Sequence, residues 1–319
     1  MGGKPDLGAL FGASHADTFL GLAACAVADV TAPMALIGAP AGTPYASVGN
    51  YCAGAPAALR AATLPFTANI DRHDFDMGGP LFPRADLRAV DCGDLPVSED
   101  SDTNRAAIRQ AVATLLDRGA VPLVIGGDDS VPIPMLEAVN AQAAAEGRRL
   151  TILQIDAHID WRQDHMGEDM GLSSTMRRAS EMSQVDRIVQ VGARGIGSAA
   201  TTDFEDAVAW GVTFVPGAEA HRLGPNAIAA MIPDGADVVI CIDADAFDPA
   251  AIPGVIGRAP GGLSYYQVCE IIAGVAAHAR IRAMDFVEFM PDRDVDGIGA
   301  LTFARLIMTS MGIVARQTG

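Results

Sequence analysis

Positive charge is scarce in this sequence. Its 319 residues include 22 lysines and arginines against 39 aspartates and glutamates, which gives a formal net charge of −17. Proteins that bind nucleic acid through its phosphates, or that bind anionic membranes, generally need the opposite sign. The composition therefore argues against nucleic acid and membrane surfaces as partners. It is compatible with a cationic small substrate or with bound metal ions, and acidity is also a common means of staying soluble.

Cysteine motifs and long apolar runs are also missing. The five cysteines form no CxxC pair and have apolar neighbours, which is typical of reduced core residues in a cytoplasmic protein. Residues 1–12 show no basic segment followed by a long apolar run. No stretch reaches the roughly 18 uninterrupted apolar residues of a membrane span. We therefore expect a cytoplasmic protein without a membrane-spanning segment.

Repeats, low-complexity tracts and linkers are absent as well, so we expect a single domain over residues 1–319. Short apolar runs without polar alternation, typical of strands buried on both faces, alternate with segments of helical period. This order predicts a three-layer α/β/α fold with a central, mainly parallel sheet of about eight strands. The predicted strands are Met34–Gly38, Leu87–Gly93, Pro122–Gly127, Leu150–Ala157, Arg187–Ala193, Val212–Val215, Asp237–Asp245 and Arg282–Phe289. The predicted helices are Asn104–Ala120, Val131–Gly147 and Ser264–Arg280.

Acidic residues cluster where the predicted strands end. In an open parallel sheet, ligands bind beyond the carboxyl ends of the strands, so these side chains are expected to converge. The acidic residues in question are Asp91, Asp94, Asp128, Asp129, Asp156, Asp160, Asp243, Asp245, Asp248 and Glu288.

Two of these strand ends carry alternating acidic residues. Asp156, His158 and Asp160 alternate in DAHID, so an extended chain points all three the same way, and Asp243 and Asp245 repeat the pattern on another strand. Carboxylates with one imidazole suit manganese, and also nickel or zinc. Without a cation these carboxylates would repel one another and would have to protonate. The pattern predicts a metal site; the alternative is a purely structural acidic cluster.

These motifs resemble those of the ureohydrolase family, which comprises arginases, agmatinases and guanidinobutyrases. The family carries GGDHS, DAHxD, an arginine-pair segment, DxDxxDP and a late VE. The segment STMRRASEM is closer to agmatinase and guanidinobutyrase patterns than to arginase. The matching segments here are GGDDS (126–130), DAHID (156–160), STMRRASEM (174–182), DADAFDPAAIPG (243–254) and FVEFMPDRD (286–294).

The resemblance implies an arginase-like fold and two divalent metal ions, manganese or nickel. They activate water for attack on a guanidinium carbon, and the products are urea and an amine. By position, Asp156 and Asp243 would bind both metals, Asp129 and Asp160 the first, and His158 and Asp245 the second. Glu288 would hold the guanidinium by charge-assisted hydrogen bonds, unless it is only a solvated strand end. Glu288 and Asp160 are the expected catalytic residues.

The chain departs from the family pattern at three places. Asp129 stands where the family has a metal-binding histidine, which gives five ligand carboxylates against the four positive charges of two divalent metals. The extra negative charge should weaken the activation of water, and it favours the binding of one metal ion or none over two. Leu172 stands where the family has a histidine thought to shuttle protons or position substrate; the nearby His165 is expected to be an exposed loop side chain. Val255 and Ile256 replace a hydroxyl and a glycine.

We expect Leu172, Ser173, Val255 and Glu288 to contact the substrate, a guanidino or biguanide compound. These departures suggest a weakly catalytic or non-catalytic subunit of a ureohydrolase assembly. The expected assembly is a homo- or hetero-oligomer, trimeric or hexameric, with a paralogous active subunit. Paired unlike subunits resemble the family's bacterial hydrolases that act on metformin. The alternatives are a fully catalytic agmatinase- or guanidinobutyrase-like hydrolase with altered specificity, and a metal-dependent binding protein unrelated to hydrolysis.

Overall fold

A computed structural model describes residues 17–197 and 199–318 of the chain. Residues 1–12, for which the sequence analysis expects no targeting segment, lie outside that part. The strands are β1 (Ala23–Ala24), β2 (Met34–Gly38), β3 (His73–Asp74), β4 (Gly79–Pro80), β5 (Val90–Asp94), β6 (Val121–Ile125), β7 (Leu150–Ile155), β8 (Val185–Val191), β9 (Thr213–Val215), β10 (Asp237–Asp243) and β11 (Arg280–Val287). Nine of them form one sheet in the order β1-β5-β2-β6-β11-β10-β7-β8-β9, and β3 and β4 pair separately.

Every neighbouring pair in the large sheet is parallel. Helices connect most of the successive strands. They are α1 (Ala55–Thr63), α2 (Ser101–Asp117), α3 (Pro132–Glu146), α4 (Thr175–Ser180), α5 (Thr201–Trp210), α6 (Gly217–Leu223), α7 (Pro225–Ala229), α8 (Tyr265–Ala276) and α9 (Ile298–Thr318). Several ends follow local capping rules: Asp100 accepts from the Thr103 backbone N–H at the start of α2, and Ser264 and Gln267 form a capping box on α8.

The sheet is covered on both faces, which explains why its strands lack polar alternation. Helices α2 to α5 pack on one face and α1 with α6 to α9 on the other, each over its own hydrophobic cluster. Within β2, Ala35 and Ile37 join the first cluster, whereas Met34 and Leu36 join the second. The predicted three-layer α/β/α fold with a mainly parallel sheet is therefore confirmed.

The boundaries differ from the prediction in detail. Each of the eight predicted strands overlaps an observed one, but the large sheet has a ninth strand, β1, of two residues. A strand of two residues, such as β1, β3 or β4, is too short to show a periodic pattern of apolar residues in the sequence. The patterns described above also omit α1, α4 to α7 and α9. The five cysteines, all within the described ranges, are free.

Helix α9 is long and apolar enough to cross a membrane by length and composition alone, over Ile298–Gln317. However, 78% of its most apolar window is buried inside the protein. Phe303 and Ile307 pack in the cluster beneath α1 and α8. The helix therefore serves as a core helix of the fold, and its apolar character is explained by that burial.

The strand order places the acidic motifs together. Strands β6, β11, β10 and β7 are consecutive neighbours at the centre of the sheet. Their carboxyl ends lead into Asp129, Glu288, Asp243 and Asp156 respectively. Because parallel strands end at the same edge, four motifs that are far apart in sequence meet at one rim of the sheet.

Candidate active site

A tight glycine turn follows β6 and sets the backbone positions of the two aspartates in GGDDS. Gly126 and Gly127 both adopt positive φ, at 130° and 38°. A Cβ on Gly126 would lie 2.8 Å from the Ala39 carbonyl oxygen, so a side chain cannot be accommodated there. The Gly127 carbonyl accepts from the backbone N–H of Glu288 at 2.9 Å, which ties the turn to the end of β11.

The two adjacent aspartates have different roles. Asp128 Oδ1 accepts from the backbone N–H of Ser130 at 3.1 Å and from the Ser130 hydroxyl, whose oxygen accepts from the Thr43 N–H at 2.6 Å. Asp128 therefore holds the turn together. Asp129 is buried, and its Oδ2 has no hydrogen-bond partner among the residues of the described ranges. A buried carboxylate oxygen without a partner is the kind of atom that binds a cation.

Two sets of ligand atoms meet at this rim. One oxygen from each of Asp129, Asp156 and Asp243 lies within 4.8 Å of the others. The same is true of ligand atoms from Asp156, His158 and Asp245. Asp156 belongs to both sets, as expected of a ligand that binds two metals. This oxygen-rich donor set with one imidazole fits divalent manganese or nickel.

Asp160, the remaining expected ligand, belongs to neither set of three. Its backbone is in the left-handed region, with φ of 43°, and its carbonyl accepts from the backbone N–H groups of Met176 and Arg177. Its side chain nevertheless lines the cavity shared by the two sets. The structure thus places Asp160 beside the ligands, where helix α4 holds its backbone.

Negative charge is concentrated at the site. Burial raises the pKa of Asp129 well above its usual value, and the nearby Asp160 and Asp156 carboxylates raise it further. Burial, together with Asp245 and Asp156, does the same to the pKa of Asp243. Each group thus resists ionisation unless a cation is near. A pair of divalent cations would remove this penalty, which is a second reason why the residues fit the expected metals.

The same negative charge stabilises the protonated, charged form of His158. Its Nδ1 lies 3.1 Å from Asp245 Oδ2 and 3.4 Å from Asp156 Oδ1. Burial lowers the pKa of His158, but hydrogen bonds and charge from these two carboxylates outweigh it and raise the pKa to about 12. Since histidine binds metals as a neutral ring, metal binding here would release the proton that the ring otherwise carries.

Glu288 is buried at the end of β11, in the left-handed region with φ of 64°. The Tyr51 hydroxyl lies 2.7 Å from Oε1 and 2.8 Å from Oε2, and the Asp129 backbone N–H donates to Oε1 at 2.9 Å. Burial, with the charge of Asp128, raises the pKa of Glu288 to about 8. Its side chain is not a solvated strand end, because protein groups surround and orient it.

A cavity of about 200 Å³ joins these groups. Both ligand sets reach it, and so do the expected substrate contacts Glu288, Leu172 and Ser173. The sixteen lining residues are Asp129, His158, Ile159, Asp160, Trp161, Arg162, Leu172, Ser173, Gly197, Ala199, Asp203, Asp243, Asp245, Ile256, Gly257 and Glu288. The arrangement brings carboxylates that could hold metal ions and an oriented glutamate to one cavity.

The sequence as a whole matches the arginase family over residues 32–312. The chain belongs to the arginase family. Arginase 1 of Arabidopsis thaliana is 33% identical over 227 residues, which cover 68% of this chain and 64% of that protein, just under two thirds of its length. Guanidinobutyrase of Pseudomonas aeruginosa is 29% identical over 252 residues, covering 76% of this chain and 77% of that protein.

Among solved structures, proclavaminate amidino hydrolase from Streptomyces clavuligerus superposes with a TM-score of 0.82 at 26% identity, covering 96% of this chain and 99% of that chain. The family resemblance inferred from the motifs is therefore confirmed. The arginases and agmatinases of this family are ureohydrolases that depend on a two-metal centre, act on guanidino substrates and are oligomeric.

Val255 does not lie where the sequence placed it. It is buried in the hydrophobic core, and its neighbours Ile256 and Gly257 line the cavity instead. The adjacent Gly254 explains the placement: its carbonyl accepts from the Met290 N–H at 2.7 Å, and a Cβ there would lie 2.8 Å from Phe289. The loop is pinned against the end of β11 at this point, so the apolar pocket wall begins one residue later.

Asp91, Asp94 and Asp248 do not join the site either. Strand β5 lies next to the sheet edge, and Arg60 pairs there with Asp91, at 2.7 Å and 2.9 Å, and with Asp94. Asp248 accepts from the backbone N–H groups of Ala250 and Gly261, so it shapes its own loop. These acidic residues are explained by ion pairing and loop capping.

His165, the nearby histidine considered as a substitute at the position of Leu172, is half-buried rather than exposed. Its ring packs against Tyr45 with centroids 4.6 Å apart, and its Nδ1 lies 3.1 Å from a guanidinium nitrogen of Arg162. It is not among the described residues that line the cavity. Within the described ranges, His165 therefore does not take over the position of Leu172.

Three further residues support the site without belonging to a recognised motif. Tyr51 lies in the uncharged loop 43–54, which has no periodic pattern. Arg194 donates to the carbonyls of Asp245 at 2.7 Å and Ala259 at 2.8 Å, joining the end of β10 to the loop behind the cavity. Gln154 is an amide flanked by Leu153 and Ile155 in β7, and its place in a largely apolar run was the one signal the sequence offered.

Proposed function

We propose that this chain hydrolyses a guanidino C–N bond to give urea and an amine. The observation that supports the proposal most directly is the cavity itself. It is shared by both ligand sets and by the buried carboxylate of Glu288. A guanidinium bound to Glu288 would lie in the same small space as the metal ligands. Proximity of this kind is what a hydrolytic site requires.

Two divalent ions, manganese or nickel, would be held by Asp129, Asp156 and Asp243 on one side and by Asp156, His158 and Asp245 on the other. Bound there, they would supply a nucleophilic water near neutral pH and polarise the group under attack. Asp129 in place of histidine is compatible with this reading because its unpartnered Oδ2 lies within the first ligand set.

The protein groups bind and orient the substrate. Ionised Glu288 accepts hydrogen bonds from the guanidinium, and Tyr51 with the Asp129 N–H holds the carboxylate in place. Asp160, at the cavity wall beside the first ligand set, would take the proton released by the attacking water and pass it to the departing amine. Leu172 offers no proton acceptor on its side of the cavity.

The substrate is proposed to carry an apolar substituent. An apolar groove of about 460 Å³ adjoins the cavity, and Ile159, Gly197 and Ala199 line both. Beyond them the groove is walled mainly by apolar residues, which include Ile196, Phe204, Phe214 and Pro216. Arg194 also lines the groove, but along its apolar walls a charged tail would lose hydration, whereas an alkyl or aryl group would be stabilised. N-substituted guanidines and biguanides fit this description.

A second candidate is a weakly catalytic subunit that assembles with an active paralogue. Leu172 supports it, because the side chain lines the cavity at the position where proton transfer is expected in the family. The five ligand carboxylates support it as well, since they exceed the charge of two divalent ions. In this case the assembly would be the ureohydrolase.

Urea release by the purified chain tests the proposal. The protein is supplied with Mn²⁺ or Ni²⁺ and offered agmatine, 4-guanidinobutyrate, hexylguanidine and phenylbiguanide. We expect hexylguanidine or phenylbiguanide to be preferred at least tenfold in kcat/KM. Glu288→Gln should abolish turnover, whereas Glu205→Gln, at an exposed position on α5, should not. No urea from any of the four compounds would contradict catalysis by this chain alone, and recovery on adding a paralogue would support the second candidate.

A further inference from the structure

Two buried glutamines connect the sheet interior to the metal ligands. Gln154 on β7 and Gln190 on β8 are register partners in neighbouring strands, and each side chain is almost completely buried. Gln190 Nε2 donates to Gln154 Oε1 and to the Ile159 carbonyl at 2.8 Å. Gln154 Nε2 in turn donates to Asp156 Oδ2 at 2.8 Å and to Asp160 Oδ2 at 2.7 Å.

The direction of these hydrogen bonds follows from chemistry. The two carboxylates require donors, so the Gln154 amide must turn its nitrogen toward them and its oxygen toward Gln190. Gln190 meets that oxygen with its own nitrogen, and the Ile159 carbonyl, which also requires a donor, fixes the Gln190 amide in turn. Each partner thus selects a single orientation of both amides.

Packing alone does not account for this pair. Burying an amide costs free energy unless its groups are hydrogen-bonded, and Gln190 Oε1 has no partner within the described part of the chain. The residues on either side of Gln154 in β7 are apolar. An apolar side chain at 154 would pack without that penalty. The glutamine is therefore explained by what it does for the carboxylates.

We propose that Gln154, oriented by Gln190, is a positioning residue of the metal centre. It holds one oxygen of both Asp156 and Asp160, so that Asp160 stays beside the first ligand set, and the inference rests on the proposed metal binding. A neutral amide suits this role because it orders two adjacent carboxylates without adding a positive charge that would repel the metals. Outer hydrogen-bond partners of this kind change metal affinity by roughly 10- to 100-fold.

The test compares Mn²⁺ dissociation constants, measured by isothermal titration calorimetry, for the full-length protein and three variants. Gln154→Met keeps the approximate volume and removes both donors; it should weaken the affected Mn²⁺ site about 10- to 100-fold. Gln190→Met keeps Gln154 but frees its amide to rotate and should weaken that site by about threefold or more. Thr151→Val is the control, because Thr151 is buried on the same strand at the end away from the site.

The outcomes separate the explanations. If Gln154→Met lowers Tm in chelator but binds Mn²⁺ within twofold of Thr151→Val, the residue is only structural and the inference is overturned. If Gln154→Met does not fold, Gln190→Met decides: unchanged Mn²⁺ affinity overturns the inference. Rescue of most of the affinity by Gln154→His, which retains an N–H donor, would support it. Wild-type protein that binds no Mn²⁺ would overturn the proposed metal centre together with the inference.

Discussion

The hydroxyl of Tyr51 lies 2.7 Å and 2.8 Å from the two carboxylate oxygens of Glu288, although the residues are separated by 237 positions. This contact joins the uncharged loop 43–54 to the end of β11. It leaves Glu288 ordered before any substrate arrives, because its carboxylate is already held by a fixed donor. The substrate-binding group of the proposed function is therefore preorganised by a loop that carries no charge of its own.

Tyr51→Phe is expected to lower kcat/KM about tenfold, which corresponds to about 1.4 kcal/mol, close to the lower end of the range for one hydrogen bond to a charged group. The Tyr51 hydrogen bond lowers the pKa of Glu288, which is about 8, so removing it should raise that pKa. Because Glu288 must be ionised to hold a cation, the rising limb of the kcat/KM profile should move to higher pH.

The matched control for Tyr51→Phe is Tyr266→Phe, which removes an exposed phenol bonded to Asp76 at 3.1 Å. Its pH profile should be that of the wild type. A Tyr51→Phe profile that coincides with the control in both position and height would contradict the assigned role.

The adjacent aspartates give a sharper comparison. Asp129→Ala removes an oxygen from the first ligand set and should reduce bound metal from two ions per chain to one. Asp128→Asn should retain both ions, because an amide oxygen can still accept from Ser130. Metal content measured by plasma mass spectrometry after desalting distinguishes the two variants. Equal metal content in both would show that Asp129 is not a ligand.

The position of Leu172 leads to a third prediction. Leu172→His should restore a proton acceptor to the cavity wall and raise kcat about tenfold or more without changing metal content. Combining it with Asp129→His should also tighten metal binding, measured as a lower Mn²⁺ dissociation constant, since the ligand charge falls from five to four. Urea release and metal content are measured on the same preparations. An unchanged kcat in the single variant would mean that proton transfer is not limiting.

A fourth prediction concerns stability. Asp285 is fully buried on β11 with Oδ2 unpartnered within the described structure, and burial raises its pKa to about 7. The folded state therefore binds this proton more tightly than the unfolded state, whose pKa is near 4. The resulting stability is complete below about pH 4 and is lost as the pH rises through 7.

Asp285→Asn should remove this dependence. In chelator-treated protein, the wild type should lose up to about 4 kcal/mol relative to the variant between pH 4 and pH 9, three pKa units at 1.36 kcal/mol each. Urea denaturation at both pH values measures the difference, and Asp234→Asn, at an exposed position, is the control. A pH-independent difference between wild type and Asp285→Asn would contradict the prediction.

The strands and the acidic motifs could be predicted because local patterns specify them. Apolar runs such as that of β10 identify buried parallel strands, and parallel strands end at a common edge, so Asp156 and Asp243 had to meet. Even the departures of Asp129 and Leu172 from the family pattern could be located by counting from fixed motifs. Both residues line the cavity.

The supporting residues could not be predicted, for a physical reason. Tyr51 and Arg194 act through contacts with residues distant in sequence, and Gln154 is oriented by Gln190, 36 residues away, so the sequence around each residue does not indicate these partners. The prediction that Val255 contacts the substrate was wrong because a shift of one position along a loop decides whether a side chain faces the core or the cavity. That choice is made by contacts of Gly254 with the end of β11, which no local pattern reveals.

Metal content per chain tests the central claim most directly. The chain is expressed alone in medium supplemented with manganese, desalted, and analysed by plasma mass spectrometry against protein concentration. We expect two equivalents, one for each ligand set, with Asp129 in the first. One equivalent or none would contradict this expectation, and would mean that Asp129 marks a broken metal site in a chain that depends on a partner subunit.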